Sequence, residues 1–271
     1  MVKVAFQGER GAFSEDAVIT FFRDAAFLPC RYLSDVFEAV LTGKADSGVV
    51  PVENSQAGSI NDTYDLLLSY PLNILGEINL RISHCLMALP GQSLDEIRTV
   101  YSHPQALAQC EEFLRKLSAE VVPTYDTAGS AKRIEEEGLR RYAAVASRRA
   151  AQIYELEILA EKIETNVNNY TRFFVIAKEK AEPTPKSKTS LVFGTSNIPG
   201  ALYASLGAFA TRNINLTKLE SRPSKRKPWE YVFYVDFEGH ISDEPCQEAI
   251  RELEGKTSFS RILGSYPRAE G

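Results

Sequence analysis

The chain has 271 residues, 44% of them hydrophobic and 25% charged, with a formal net charge of -5; that is length for one large domain or two ordinary ones, and the acidic balance argues against a polyanion partner. The one basic run, Lys225-Arg226-Lys227, is short, stands beside Pro223 and Pro228, and reads as a solvated turn instead of a nucleic-acid contact. Cys30, Cys85, Cys110 and Cys246 form no CxxC pair, His84, His103 and His240 are not spaced as metal ligands, and no apolar stretch is long enough to span a bilayer, so thiols in a cytoplasmic, metal-free, membrane-free protein are expected.

The opening MVKVAFQG runs directly into a strand pattern at 2–6, without the charged and apolar segments of a secretion signal. Helices are predicted over 14–23 and 34–42, a buried strand over 48–52, and a helix over 60–69. Strands at 86–89, 121–125 and 143–146 alternate with helices at 105–117, 129–137 and 148–154, and a strand over 172–177 closes the region. Alternation of this kind predicts parallel α/β architecture with helices on both sheet faces. The polar stretch EKAEPTPKSK at 179–188, with two prolines, is the best domain boundary. Beyond it, a strand at 189–193, a helix at 200–212, strands at 215–221 and 231–237, a helix at 245–253 and a strand at 259–265 give the order βαββαβ. That order is a ferredoxin-like α+β sandwich, whose open face or edge suits pairing with another copy.

Four stretches hold residues capable of chemistry. QGERGAFSE at 7–15 is a turn from strand to helix in which Ser14 is placed as the cap, with free N–H groups suited to a carboxylate or phosphate. A plain connecting turn explains it as well; it has neither a dinucleotide fingerprint nor a P-loop. PVENSQAGS at 51–59 follows an apolar strand directly, so Glu53, Asn54 and Ser55 stand where parallel sheets gather ligands, unless Ser59 or Asn61 merely caps a helix. YSHPQ at 101–105 places Pro104 in a first helical turn with Ser102 as cap, and Gln105 and Gln109 on one helix face; alone it would read as an ordinary capped helix. In NNYTRFF at 168–174, Arg172 offers a bidentate fork for a carboxylate ahead of two aromatics. The glycosylation sequons at Asn61, Asn169 and Asn215 are discounted without a secretion signal.

Together PVENSQAGSI, SHPQALAQC and NYTRFF resemble the catalytic domain of prephenate dehydratases and the closely similar arogenate dehydratases, and IPGALYASLGAFATRNINLTKLESRP resembles the phenylalanine-binding part of their ACT regulatory domain. The resemblance runs over nearly the whole chain and implies a catalytic domain at 1–181 and an ACT domain at 188–271. It implies two α/β lobes, like a type 2 periplasmic binding protein, one built from the first ~80 residues plus the strand after Thr171, with the site in the cleft between them. The implied reaction removes the ring carboxylate as CO₂ and the hydroxyl as water, driven by aromatisation and without a cofactor. Thr171 matches the family's TRF threonine and would meet the leaving hydroxyl; Arg172 would grip a carboxylate, and Glu53 would supply a proton if the cleft raised its pKa. Ser14, Asn54, Ser55, Ser102, Gln105 and Gln109 would orient substrate, with Phe173 in support. For the effector, L-phenylalanine, the resemblance implies Gly200, Ala201, Leu202, Asn215, Leu216, Glu220, Ser221 and Arg222, between domains of a homodimer or homotetramer. Tyr203 departs from the smaller aliphatic residue of many relatives. Prephenate is the first choice of substrate and arogenate the alternative; a non-catalytic amino-acid sensor and a ligand-transport protein are the rivals from other classes.

Overall fold

The structure is a computed structural model that describes residues 1–224 and 230–269. The Lys225-Arg226-Lys227 run therefore lies outside the described residues. The elements in chain order are β1 (Val2–Gln7), α1 (Phe13–Phe21), β2 (Ala25–Cys30), α2 (Leu33–Leu41), β3 (Ser47–Asn54), β4 (Gly58–Ser59), α3 (Asn61–Ser69), β5 (Asn73–Arg81), β6 (Cys85–Ala88), β7 (Thr99–Ser102), α4 (Pro104–Gln109), α5 (Glu111–Leu114), β8 (Glu120–Pro123), α6 (Thr127–Glu136), β9 (Tyr142–Ala146), α7 (Arg148–Ile153), β10 (Glu157–Glu161) and β11 (Tyr170–Ala177). They continue with β12 (Ser187–Gly194), α8 (Ala201–Ala210), β13 (Leu216–Pro223), β14 (Tyr231–Glu238), α9 (Glu244–Glu254) and β15 (Phe259–Pro267). The chain divides into two compact units, Met1–Tyr64 with Ile78–Phe173, and Asp65–Glu77 with Phe174–Gly271.

The strands form three sheets, ordered β2-β1-β3-β11-β5 with β4 on β3, β10-β6-β9-β7-β8, and β13-β14-β12-β15. The first two are mixed and not wholly parallel as predicted. β1 pairs parallel with β2 and β3, and β7 with β8 and β9, but β6 runs antiparallel to both β9 and β10. In the second sheet the period-2 alternation splits one strand between two cores. Cys85 and Met87 of β6, with Ala144 and Ala146 of β9, face α6 and α7. Leu86, Ala88, Ala143 and Val145 face α4 and α5. Each large apolar side chain buried in this way contributes about 1.5–3 kcal/mol.

Several strands escaped prediction for local reasons. β2 contains Pro29, which a sheet tolerates at its edge, where β2 lies. β5 carries Glu77, 5% exposed, along with Asn73, Asn79 and Arg81, which mask its apolar residues in the pattern; the Glu77 carboxylate takes the Lys188 Nζ at 2.8 Å, satisfying the buried charge. The helix predicted over 105–117 breaks at Cys110 (φ -105°, ψ 13°) into α4 and α5.

The turn from β1 to α1 is held rigidly. Gly11 has φ +86°, and a Cβ there would stand 2.7 Å from the Ala150 Cα of α7, so only glycine fits. Its N–H donates to Glu15 Oε2 at 2.6 Å, and its carbonyl accepts from Ser147 Oγ at 2.6 Å. In the last sheet every pairing is antiparallel, and Leu191, Phe193, Val235 and Phe237 form a core with Phe209 of α8 and Leu253 of α9. This is the predicted ferredoxin-like arrangement. Among the described residues no helix is long and apolar enough to cross a membrane.

Candidate active site

Side chains from the ends of β3 and β7 and the start of β11 meet in the first unit. A hollow of about 110 Å³ is lined by Phe13, Asn54, Ile82, His84, His103, Gln105, Ala106, Gln109, Thr127 and Thr171. An adjoining hollow of about 180 Å³ shares Phe13, His103 and Thr127 and adds Ser14, Arg31, Tyr125 and Asp126. This is the carboxyl edge of the parallel strands, where α/β sheets gather ligands.

Asn54, 3% exposed, is the centre of the polar wall. Its Oδ1 accepts the backbone N–H groups of Gln56 and Ala57, both at 3.0 Å. Backbone donors cannot reverse, so the amide NH₂ must face the other way. It donates to Asn169 Oδ1 at 2.9 Å, Tyr170 O at 3.1 Å and Thr171 Oγ1 at 3.0 Å. The Thr171 oxygen is therefore an acceptor towards Asn54, which leaves its own O–H proton for the hollow it lines. Asn169 Nδ2 donates onward to Gln109 Oε1 at 2.8 Å, and Gln109 Nε2 returns to Asn54 Oδ1 at 3.4 Å. Three amides thus form a ring in which every hydrogen bond runs in the same sense.

Other predicted residues fall in different places. Ser14, Gln105 and Gln109 line the hollows, though α1 is capped at Ala12 without a side-chain bond and not by Ser14. Ser102 is fully buried; its hydroxyl donates to Val145 O at 2.6 Å, and the cap of α4 is His103, whose Nδ1 accepts the Gln105 N–H at 3.2 Å. The predicted Ser102 cap fails because that residue ends β7 and its hydroxyl serves the sheet. Ser55 Oγ donates to Asn168 O at 3.0 Å and accepts the Tyr170 N–H at 2.9 Å, tying β3 to β11. Phe173 is 2% exposed and lies in the core. Glu53 and Arg172, each half-buried, alternate with buried Asn54 and Thr171 along β3 and β11, so they point to the opposite sheet face and do not line this hollow.

His84, His103, Phe13, Arg31 and Thr127 line the hollows and Asn169 completes their polar wall without a sequence signal of their own: Asn169 reads as a sequon, and the histidines lack metal-ligand spacing. Among the described residues no group of His, Cys, Asp and Glu is placed to hold a metal ion. Charges of both signs stand at the second hollow, which Arg31 and the Asp126 carboxyl both line. The first turn of α1, at Phe13 and Ser14, leaves N–H groups without intrahelical acceptors. Arg31 stands 5.7 Å from the Tyr125 ring centroid. Burial would raise the Glu15 carboxyl, but Arg10, the Gly11 N–H and Arg149 bring it below its ordinary value, so a fixed carboxylate braces the turn. Burial also lowers the His103 pKa, against the pull of Asp126.

In the second unit, Gly200 caps α8 with φ +81°, and Ala201 and Leu202 open the helix. Register puts Gly194 and Arg222 opposite the same residue, Val232, so the α8 entry and Glu220-Ser221-Arg222 share one end of the sheet. Asn215 and Leu216 lie at the other end, where Leu216 pairs with Phe237. Arg222 Nη2 lies 3.5 Å from Asp65 Oδ2, and Tyr203 is 84% exposed.

Comparison with known proteins finds two family matches, and the first takes in segments 65–77 and 174–181 of the second compact unit. Residues 4–181 match the family model described as prephenate dehydratase, and residues 189–255 match the ACT domain. The chain is 46% identical to the arogenate dehydratase/prephenate dehydratase 2 of Arabidopsis thaliana, over 98% of its own length and 73% of that protein's. It superposes with a TM-score of 0.91 on the prephenate dehydratase of Arthrobacter aurescens solved in complex with L-Phe, at 34% identity, covering 99% of this chain and 90% of that one. It is also similar to the structure named "GqqA- a novel type of quorum quenching acylases", with a TM-score of 0.90, 36% identity and 98% of each chain covered. With an α/β region that bears a threonine hydroxyl in a polar hollow and a ferredoxin-like domain after it, the chain belongs to the prephenate dehydratase family, with an ACT domain at its C-terminal side.

Proposed function

We propose that this chain converts prephenate to phenylpyruvate in L-phenylalanine synthesis, and that its ACT domain binds L-phenylalanine as effector. The observation that carries this reading is the one-way amide ring, which leaves the Thr171 O–H proton for the polar hollow it lines. In the reaction, the bond from the ring to its carboxylate breaks and its electron pair enters the ring. The C–O bond at the opposite carbon breaks, and the oxygen leaves as water with one added proton. Thr171 donates a hydrogen bond to that oxygen as negative charge develops on it. Threonine is too weak an acid to act unaided; help of this kind in a polarised network is typically worth about 10²–10⁴-fold. The N–H groups at Phe13 and Ser14, with Arg31, hold substrate carboxylates, and Gln105 and Phe13 bound the ring.

The edge strand β13, on which Leu219 is 46% exposed, supports pairing of ACT domains into a homodimer, and two dimers into a tetramer. Between one copy's α8 entry and its partner's β13 is the proposed effector position. Arogenate is the second reading, favoured by the double name of the plant relative. The test is a side-by-side assay of the purified chain with prephenate and arogenate, with an N-acyl substrate as a third arm. Prephenate is expected to give a kcat/KM at least about tenfold above arogenate. A reversed ratio favours the second reading. Aromatic product from neither substrate overturns both.

A further inference from the structure

The amide ring receives one donor that the reaction as described does not use. His84, 2% exposed between β5 and β6, places Nε2 2.9 Å from Gln109 Oε1. That oxygen can only accept, so His84 donates and carries its proton on Nε2. The opposite tautomer would break the ring. A lone pair on Nε2 would require Gln109 to turn its NH₂ towards the imidazole. The Gln109 oxygen would then face Asn54 Oδ1, which the Gln56 and Ala57 N–H groups hold in place, and the NH₂ would meet Asn169 Nδ2. Two of the three joints would become repulsive at once.

His84 is also seated with care. Its N–H donates to Glu164 Oε2 at 2.9 Å, its carbonyl accepts the Ile163 N–H at 3.2 Å, and Phe13 meets its ring edge-on at 5.3 Å. Its other nitrogen, Nδ1, is buried without a hydrogen-bond partner, as is Glu164 Oε1. The hydrogen bonds just described for His84 converge on its backbone and on Nε2, which holds that nitrogen aimed at Gln109. Burial lowers the imidazole's proton affinity, against the Gln109 bond and the charge of Glu164, which favours the neutral, singly protonated ring.

We propose that His84, seated by Glu164, is a positioning residue of the dehydratase reaction: the backbone N–H groups on Asn54 fix the sense of the ring, and the His84 Nε2–H holds the Gln109 amide in the one orientation that closes it, steadying the wall that aims the Thr171 O–H. This inference rests on the role given above to Thr171.

The experiment is steady-state kinetics on prephenate for His84→Leu, His84→Gln, Gln109→Ala and the double variant His84→Leu with Gln109→Ala, each checked by thermal melting. His84→Leu is expected to lower kcat by roughly tenfold or more with KM within about twofold. His84→Gln, which still presents an N–H, should recover most of that loss. In the Gln109→Ala background, His84→Leu should add little further loss, because its effect passes through that amide. Equal losses in the Leu and Gln variants, or an undiminished loss in the Gln109→Ala background, overturn the proposal and leave His84 a packing residue. So does imidazole nitrogen NMR showing the proton on Nδ1. Thr171→Ala separates the two ideas: if it retains turnover, the reading of Thr171 falls first; if it is inactive while His84→Leu is unaffected, only the His84 proposal falls.

Discussion

Thr171→Val removes one hydroxyl and keeps the side-chain shape. Thr171 is 8% exposed, and the bond lost is the 3.0 Å contact with Asn54 Nδ2. Asn54 retains two other acceptors, Asn169 Oδ1 and Tyr170 O, so the donor is not stranded. The cost in stability is about 1 kcal/mol, partly offset by about 0.8 kcal/mol for an added buried methyl. That moves Tm by at most a few degrees for a domain of this size, at about 2–4 °C per kcal/mol. The expected loss in kcat is about 10²–10⁴-fold, or roughly 2.7–5.4 kcal/mol of barrier. Damage to turnover should thus exceed damage to the fold by at least about 2 kcal/mol. The assay follows phenylpyruvate formation across prephenate concentrations, with melting curves and Thr171→Ser alongside. Serine keeps the hydroxyl and should recover much of the rate. Turnover of the Val variant within about fivefold of the parent, at unchanged Tm, would refute the role of the hydroxyl.

Asn54→Asp keeps the acceptor for the Gln56 and Ala57 N–H groups but turns a second oxygen towards Asn169, Tyr170 and Thr171. Thr171 must then donate to it, so kcat should fall about 10²-fold or more, and Tm should drop with it. Arg31→Ala should raise KM for prephenate by roughly tenfold, whereas Arg172→Lys, on the opposite face of β11, should leave KM within about threefold; the reverse pattern in initial-rate measurements would return the carboxylate to Arg172. Burial pushes the Asp16 carboxyl up from 3.8 to about 6, opposed by Arg149 and reinforced by Glu15. The folded state then binds that proton more tightly than the unfolded one, so stability is lost as pH rises from about 4 through about 6. Because the side chain is 28% exposed, Asp16→Asn should gain roughly 1–3 kcal/mol in melts above about pH 7, and nothing below about pH 4.

Local pattern alone determined much of this protein. Helix α9 and strand β14 have their amphipathic or apolar period written into consecutive residues, and the polar 179–188 stretch lacks any. The Asn54, Gln109 and Thr171 motifs were legible because their residue types carry hydrogen-bonding chemistry wherever they stand. What the sequence could not decide was direction. Adjacent strand residues point to opposite faces, so Thr171 and Arg172 share a motif but not a pocket, and only pairing in the sheet says which one meets the hollow. Likewise Ser102 looks like a cap until Val145 takes its hydroxyl, and His84 looks isolated until the turn before β6 brings it to Gln109, 25 residues away. Hydrogen-bond partners distant in sequence are chosen by packing. The tertiary structure alone therefore decided which polar groups became a wall of the site and which became part of the frame.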